Sequence, residues 1–527
     1  MSLLPEENNT PKVEEESTIF GASPTKQLND KPKKGGKMLR NILVSVLVLA
    51  LLAGSAFAIV KFIPKPQDGD SVSSDQSIKV ISLEHKKVKS VKIDRGDSVS
   101  VYNTAVTEEA NTESSGTTTK VTWIIEGIDP SLTETTAISR IMDTVLALEA
   151  NRRIEKEDGA DYGFAAPKYT VTITGYDAAD NKTLVIGKQT PTESGYYATL
   201  DREEIVLLDS ADVEELATPD TEMAVSEIVA AAKKTDENKA YFEEENFARV
   251  DYISLSGKNY PQNIRFEMND MEGIAAYMSF VMTAPSRRFA DMEKVTELFN
   301  IAANGLSSAS AYCLNPTAAE LQSFGLNSPD IVLEIKYGTV KIKLKATLQK
   351  DGSYAVFAEG GKNIIFKVDV ANLAFASYTM EDYASDSVFV EMITELSSLT
   401  LKTTDKTFVF GIKNIVAENE DEDDELVVTY GNKTLTTENF QNYYQYLVGT
   451  ELNEIATEKT AGTPALTLIA VKNNGKSTEV KYIKHSDRRY YVEVDGQPMG
   501  YISSSYMDKI LNYLADVAED KPVPEPY

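Results

Sequence analysis

Cysteine, histidine and tryptophan are nearly missing from this chain. Cys313 is the one cysteine in 527 residues, so neither an intramolecular disulfide nor a cysteine-rich metal site can form. The two histidines, His85 and His485, sit far apart, each among lysines or arginines. A zinc or iron site needs more ligands close by, so both read as solvated surface residues and no metal is expected. A histidine-based triad would have to use one of them, and no Gly-x-Ser-x-Gly is present. The one Ser-x-x-Lys, Ser23 to Lys26, falls in the polar tail, away from any cell-wall substrate. Neither Gly-x-x-x-x-Gly-Lys nor Gly-x-Gly-x-x-Gly occurs, so ATP and dinucleotide binding have no support and no cofactor is expected.

Excess positive charge is missing too. Against 53 Lys and Arg stand 81 Asp and Glu, a net charge of −28; the part beyond Lys65 carries about −31, because the tail is neutral and Arg40, Lys61 and Lys65 add three positives. Such a surface repels nucleic acid and anionic lipid headgroups, and it suits a soluble exterior that can attract cations or a basic partner. The run Glu418 to Glu425 (ENEDEDDE) lacks the glycine-punctuated alternation of a calcium loop and reads as a solvated hairpin tip. With so many carboxylates, a glycosidase-type acid pair has material to draw on, but nothing singles a pair out.

One long apolar run is present. Asn41 to Val60 (NILVSVLVLALLAGSAFAIV) carries no charge, and as a helix it covers a hydrocarbon core of about 30 Å. Lys26, Lys31, Lys33, Lys34, Lys37 and Arg40 crowd its leading flank, against Lys61 and Lys65 behind it. The positive-inside rule therefore puts the N-terminus in the cytoplasm and Phe62 to Tyr527 outside. Ala56-Phe57-Ala58 has the small-x-small form that a signal peptidase cuts, but the preceding tail and the run itself are long for a signal peptide, which favours an uncut anchor. A disulfide-free exterior protein fits a Gram-positive cell envelope.

The rest of the chain has ample apolar content for folded cores, and its length suits about three domains. The organisation read from it is a disordered cytoplasmic tail (1–38), a transmembrane helix (39–62) and a Pro/Gly/Ser-rich stalk (63–77). Three α+β repeats follow at 78–218, 219–388 (opening with a helical, Ala- and Lys-rich linker near Pro219 to Glu244) and 389–520, with a second linker near Ser377 to Phe389 and a short tail at 521–527. A Pro-led strand, a Tyr-bearing strand and a strand running into a helix recur three times. They are led by Pro167, Pro329 and Pro464 and carry Tyr196, Tyr354 and Tyr490. Gly163 and Gly325 stand before the first two prolines, where the chain needs a positive φ ahead of an extended segment, and the third copy lacks this lead. Helices are predicted upstream of each Pro at about Ser131 to Arg153, Ala290 to Ala311 and Thr437 to Thr457, with Ile138, Ile141, Met142, Val145 and Leu148 on one face of the first. Alternating strands precede them, so the expected fold is a set of antiparallel sheets with packed helices. Cys313 reads as a small buried apolar residue after the second helix, and Trp123 as core. Tyr196-Tyr197 and Tyr490-Tyr491 each put one ring inside and one outside.

Trp123, Tyr162-Gly163-Phe164, Pro167, Ile186-Gly187, Tyr196-Tyr197 and Val206 together resemble the DUF4340 family of bacterial envelope proteins, an uncharacterised domain. Phe324-Gly325-Leu326, Pro329 and Tyr354 repeat part of the pattern, and Pro464 with Tyr490-Tyr491 a smaller part. The resemblance brings no catalytic residues, and implies at most an accessory role beside transporters or export machinery. The expectation is a non-enzymatic, membrane-anchored extracellular binding or scaffold protein. The alternatives are a cell-wall glycan or peptide hydrolase using carboxylates, which requires a deep cleft with two convergent acids, and a cation- or ligand-sensing ectodomain. Expected partners are the membrane, a transporter or other envelope protein and the cell wall, and not nucleic acid. In cell fractionation the full chain should pellet with membranes and resist carbonate extraction, whereas a chain starting at residue 66 should be soluble. A carbonate-extractable full chain would sink the anchor.

Overall fold

A computed structural model of the protein describes residues 77–110, 117–271, 278–417 and 424–526. The expected tail, membrane anchor and nearly all of the stalk lie outside the described residues, as do 418–423 of the acidic run. Among the described residues no helix is long and apolar enough to cross a membrane. Three large antiparallel sheets with few helices make up the rest.

Strand formation follows the period-two pattern. In Ile331–Tyr337 (IVLEIKY), Ile331, Leu333, Ile335 and Tyr337 are buried while the residues between them are partly exposed, as a pleated strand with one core face requires. The first sheet opens with a meander of β1 (Val88–Asp94), β2 (Val99–Ala110) and β3 (Thr117–Ile125). Helix α1 (Thr135–Leu146) follows, and β4 (Arg152–Ile154) crosses to the far edge. A second meander then runs through β5 (Tyr169–Gly175), β6 (Lys182–Gln189), β7 (Gly195–Leu200) and β8 (Glu204–Asp209) into α2 (Ser210–Ala217). The spatial order is β3-β2-β1-β5-β6-β7-β8-β4.

The second sheet has β9 (Tyr252–Gly257), β10 (Tyr260–Met268), β11 (Phe280–Ala284), β12 (Arg288–Phe289), helix α3 (Met292–Asn304), β13 (Ser310–Leu314), helix α4 (Ala318–Ser323), β14 (Ile331–Tyr337), β15 (Val340–Leu348), β16 (Ser353–Ala358) and β17 (Ile364–Asp369). Short helix α5 (Met380–Tyr383) leads on to the third. There β18 (Leu396–Thr403), β19 (Thr407–Ile415), β20 (Glu425–Tyr430) and β21 (Lys433–Thr434) precede α6 (Thr437–Val448). Then come β22 (Glu454–Ile455), β23 (Pro464–Lys472), β24 (Ser477–Lys484), β25 (Arg489–Val494), β26 (Gln497–Ser503) and α7 (Ser504–Ala518). Apart from the additional short edge strands β12 and β21, all three sheets have the same strand order. In each, the two meanders join through one antiparallel pair: Val91 faces Ile173, Ile253 faces Ile335, and Leu399 faces Ala470. Except for α4, the helices pack on the same face of their sheet as the inward rows, and α1 buries Ile138, Ile141, Met142 and Val145 there.

Several expected elements differ in extent. The first helix ends at Leu146, not Arg153, because the amides of Leu83 and Val80 take the carbonyls of Leu146 and Leu148 (both 2.9 Å) and draw the chain out straight. Leu148 is buried but lies past the helix. The second stops at Asn304, where Gly305 turns left-handed (φ 81°) beside the Val229 carbonyl. Cys313 consequently lies on strand β13, partly buried. The third stops before Gly449. The segment 219–244 is not helical: Asp220–Met223 is a 3-10 turn, Glu227–Val229 pairs with Leu306–Ser307, and the Ala232 amide donates to Ala302. In the stretch 377–389, expected as a linker, Tyr383, Ala384, Val388 and Phe389 are buried while Ser377, Glu381, Asp382 and Asp386 stay exposed. Near the C-terminus Val523 is buried and accepts from Asn442.

Successive sheets meet through buried contacts. Leu132, just before α1, belongs to the core of the second sheet. Arg288 at the edge of the second sheet inserts into the third, 3% exposed. Its Nη1 donates to the Met499 carbonyl (3.1 Å), and Nη2 to those of Ala456 (2.6 Å) and Pro498 (2.8 Å) and to Ser286 Oγ (2.7 Å). All these acceptors are neutral, and burial pushes the guanidinium pKa down to about 10, so it stays charged at neutral pH. Arg288→Ala would remove the guanidinium that the Met499, Pro498 and Ala456 carbonyls face and should cost about 2–4 kcal/mol. Arg288→Met, which keeps the bulk and removes the desolvated charge, should cost less. Urea unfolding followed by circular dichroism checks this, and an Arg288→Ala midpoint equal to that of the unaltered chain would refute it.

Candidate functional site

On the outer face of the first sheet, away from its helices, the residues of the Tyr-Gly-Phe-x-x-Pro and Ile-Gly patterns come together. Gly163 is left-handed (φ 85°), and a Cβ there would lie 2.6 Å from the Lys188 nitrogen. Gly187 sits in an irregular stretch of β6, and a Cβ there would lie 2.0 Å from the Tyr162 carbonyl oxygen and 3.1 Å from the Phe164 ring. Only glycines let loop and strand approach this closely. The approach is fastened by the Lys188 amide donating to Tyr162 (3.0 Å) and the Lys168 amide donating to Ile186 (2.8 Å). Pro167, with its fixed φ, leads the chain into this pairing.

The loop from Glu155 to Ala166 is fastened at two further points. The Tyr162 hydroxyl accepts from the Glu157 amide (3.0 Å) and donates to the Glu155 carbonyl (3.3 Å), and its ring meets Tyr197 edge-on at 5.0 Å. Asp161 accepts from the Gly163 amide (2.9 Å) and pairs with Lys188 (3.3 Å). The Gly163 amide, then Lys188, hold the Asp161 carboxyl below the usual aspartate range. This support is present above the ordinary aspartate pKa and is lost as pH falls through the lowered value. Between loop and sheet lies a cleft of about 630 Å³. Its floor is the cross-strand row Val185, Thr199 and Ile205, its wall is Tyr162 and Phe164, and Lys156 and Arg202 stand at its rim. Arg202 is placed there by the tight turn between β7 and β8, in which Asp201 and Arg202 are both left-handed (φ 50° and 64°) and the Glu203 amide closes on Leu200.

The corresponding place in the second sheet is filled. Gly325 (φ 76°) lies against Thr347, and Leu326, Ala355 and Ile365 form a buried cluster. Tyr312, Cys313, Leu321, Phe324 and Phe357 pack on it, with Leu321 coming from α4. Burial there pushes the Cys313 thiol up to about 11, which suits a small apolar residue and disfavours the thiolate. Pro329 precedes β14, and Tyr354 is buried on the core side. In the third sheet Pro464 is the first residue of β23, and Gly462 takes the close position, its would-be Cβ 2.5 Å from Ile483.

Trp123 is buried in the first core, but His85 is not a lone surface residue. Trp123 Nε1 donates to His85 Nδ1 (2.9 Å), and His85 Nε2 reaches Asp143 (2.9 Å), so the imidazole links β3 to α1. Sequence offered no signal for this, since the three residues are separated along the chain. His485 is exposed and lies edge-on to Tyr501. Tyr196 is buried, with Lys168 Nζ 2.6 Å from its hydroxyl, and Tyr197 is half-buried. Tyr490 and Tyr491 are both buried, contrary to the one-in, one-out expectation, because the outer ring, Tyr491, packs against Tyr501 close to the inserted Arg288. Among the described residues no group of three or more His, Cys, Asp and Glu could hold a metal ion.

Residues 132–329 match the model of a family described as a domain of unknown function, DUF4340. The match is not confined to one sheet: it begins before α1, takes in the second meander of the first sheet, and ends at Pro329 after the first meander of the second. It holds the whole Tyr162 locus and leaves out Trp123, Tyr354, Pro464 and Tyr490. No curated protein and no solved structure matches the chain significantly.

Gly187→Ala should cost about 2–4 kcal/mol, since the new methyl group meets backbone on the Tyr162 side. It should also expose the loop to limited proteolysis near Gly159. Unchanged stability together with an uncut loop would show that the close approach is not needed.

Proposed function

We propose that this chain is a non-enzymatic, membrane-anchored binding and scaffold protein of the bacterial cell envelope. The three sheets are three divergent tandem copies of one α+β module, held outside the cell as an arm. In this reading the arm is an accessory to a transporter or export assembly.

The observation that carries the proposal is the way the sheets are joined. Arg288 of one is buried in a ring of carbonyls from the next, and Leu132 of the first lies in the core of the second. Modules mated in this manner keep a fixed spacing, which a scaffold needs. The competing reading, a hydrolase with paired carboxylates, requires one carboxyl kept protonated as general acid. Asp161 and Glu203 line the same cleft, but the Asp161 carboxylate is already engaged by the Gly163 amide and Lys188 in holding the loop.

The test is a crosslinking pull-down of the full chain from its own membranes, with a chain starting at residue 66 as control. A reproducible envelope-protein partner recovered with the full chain is the expected result. Recovery of cell-wall fragments alone, or of nothing, would overturn the scaffold reading.

A further inference from the structure

We infer that the cleft beside Tyr162 binds a small organic anion, a carboxylate or phosphate on an apolar body, and that Arg202 selects its charge; this site goes beyond the scaffold reading and neither needs it nor falls with it. The same tight turn closes the corresponding hairpin in all three sheets. Its first residue donates its amide across to the neighbouring strand: Asp201 to the Thr183 carbonyl (2.8 Å), Glu359 to that of Lys343 (2.9 Å) and Asp495 to that of Glu479 (2.8 Å). Its second residue is left-handed every time, Arg202 at φ 64°, Gly360 at φ 77° and Gly496 at φ 75°. Between the first and third sheets the match extends to the side chain. Asp201 Oδ1 accepts from the Thr183 amide (2.9 Å) as Asp495 Oδ1 accepts from that of Glu479 (2.8 Å).

Glycine takes a left-handed turn position without steric cost, whereas a Cβ is crowded there. Two of the three turns have the glycine. The first holds an arginine in a conformation that disfavours it, so the turn itself does not ask for that side chain. Strain kept in one copy, at the edge of a cavity, marks a position held for what its side chain meets. The cavity supplies the rest of the chemistry. Its volume of about 630 Å³ suits a small molecule, and Val185, Ile205 and the rings of Tyr162 and Phe164 offer apolar surface. Lys156 and Arg202 reach the same space, and among the described residues neither has an ion-pair partner. Of the two lining acids, Asp161 is taken up by Lys188 and the Gly163 amide, which leaves Glu203 alone against two cations. The lining is thus locally positive in a chain of net charge −28. A guanidinium meets a carboxylate or a phosphate through paired N–H bonds, and the apolar walls keep competing water away from that contact.

The test is calorimetric titration of the full chain with naphthyl phosphate, naphthoate and the uncharged analogue naphthylmethanol. At least one anion should bind saturably with a Kd below about 1 mM, and the tighter of the two names the anionic group. Naphthylmethanol should bind at least about tenfold more weakly than that anion. Arg202→Gly should weaken the anion about tenfold, and Arg202→Lys, which keeps the charge, by about threefold or less. Without ligand, Arg202→Gly should raise the thermal midpoint of the first sheet by about 2 °C, because the strain is relieved. Trp123, the one tryptophan, lies in that core and reports the transition by its fluorescence. A gain in stability together with a loss of anion affinity is the signature of a residue kept for a ligand. No saturation by either anion at about 1 mM, naphthylmethanol binding as tightly as the anions, or equal anion affinity in the Arg202→Gly chain overturns the site. A lowered midpoint for Arg202→Gly would show that the arginine serves the fold, and overturns it too.

Discussion

Each sheet depends on one strand pair that is distant in sequence. The pairings of β1 with β5, β9 with β14 and β18 with β23 join two local meanders into one surface. A three- or four-stranded meander alone has too narrow an apolar face to bury a helix against, whereas eight or nine strands make a face that takes both helices. Forming that pair closes a loop of many tens of residues, and its entropic cost is offset only when the helix between the meanders packs down. Helix and central pair are therefore expected to form together.

The junctions between modules rest on different physics. Arg288 is a charge taken out of water without an opposite charge to meet it, and its stability comes from several carbonyl dipoles aimed at one guanidinium. Such an arrangement is costly to break and specific in geometry. It therefore fixes the orientation of one sheet on the next more sharply than an apolar contact would. In a protein with a net charge of −28, surface ion pairs are screened and weak, so rigidity has to come from buried contacts of this kind.

The cleft beside Tyr162 illustrates how a shared architecture produces a difference. The glycine contact that lets loop touch strand is built in the first and second sheets, as Gly163 on Lys188 and Gly325 on Thr347. What varies is the connection beside it. Thr317 and Glu320 form a complete capping box that starts α4, and the helix then seals the second sheet's outer face. Lys156 to Asp161 has no such cap, stays a loop, and leaves its face open.

Much of this was legible in the residues. Alternation in IVLEIKY or SLTLKT specifies strands, the spacing of Ile138, Ile141, Met142 and Val145 specifies a helix on a sheet, and glycine before proline marks the turn into the next strand. These signals are local, because a side chain's distance to its near neighbours is set by the backbone period alone. The sequence also determined the recurring strand pattern and the absence of a disulfide framework. Helix ends depart from the local pattern where distant carbonyls and amides capture the chain, as at Leu146, and the alanine-rich stretch after Pro219 loses its helix to pairing with Leu306–Ser307. The bridge from Trp123 through His85 to Asp143, the insertion of Arg288 and the open cleft at Tyr162 were decided only by tertiary structure. Each brings together residues far apart in the chain, and no local periodicity records which distant surface a side chain will meet.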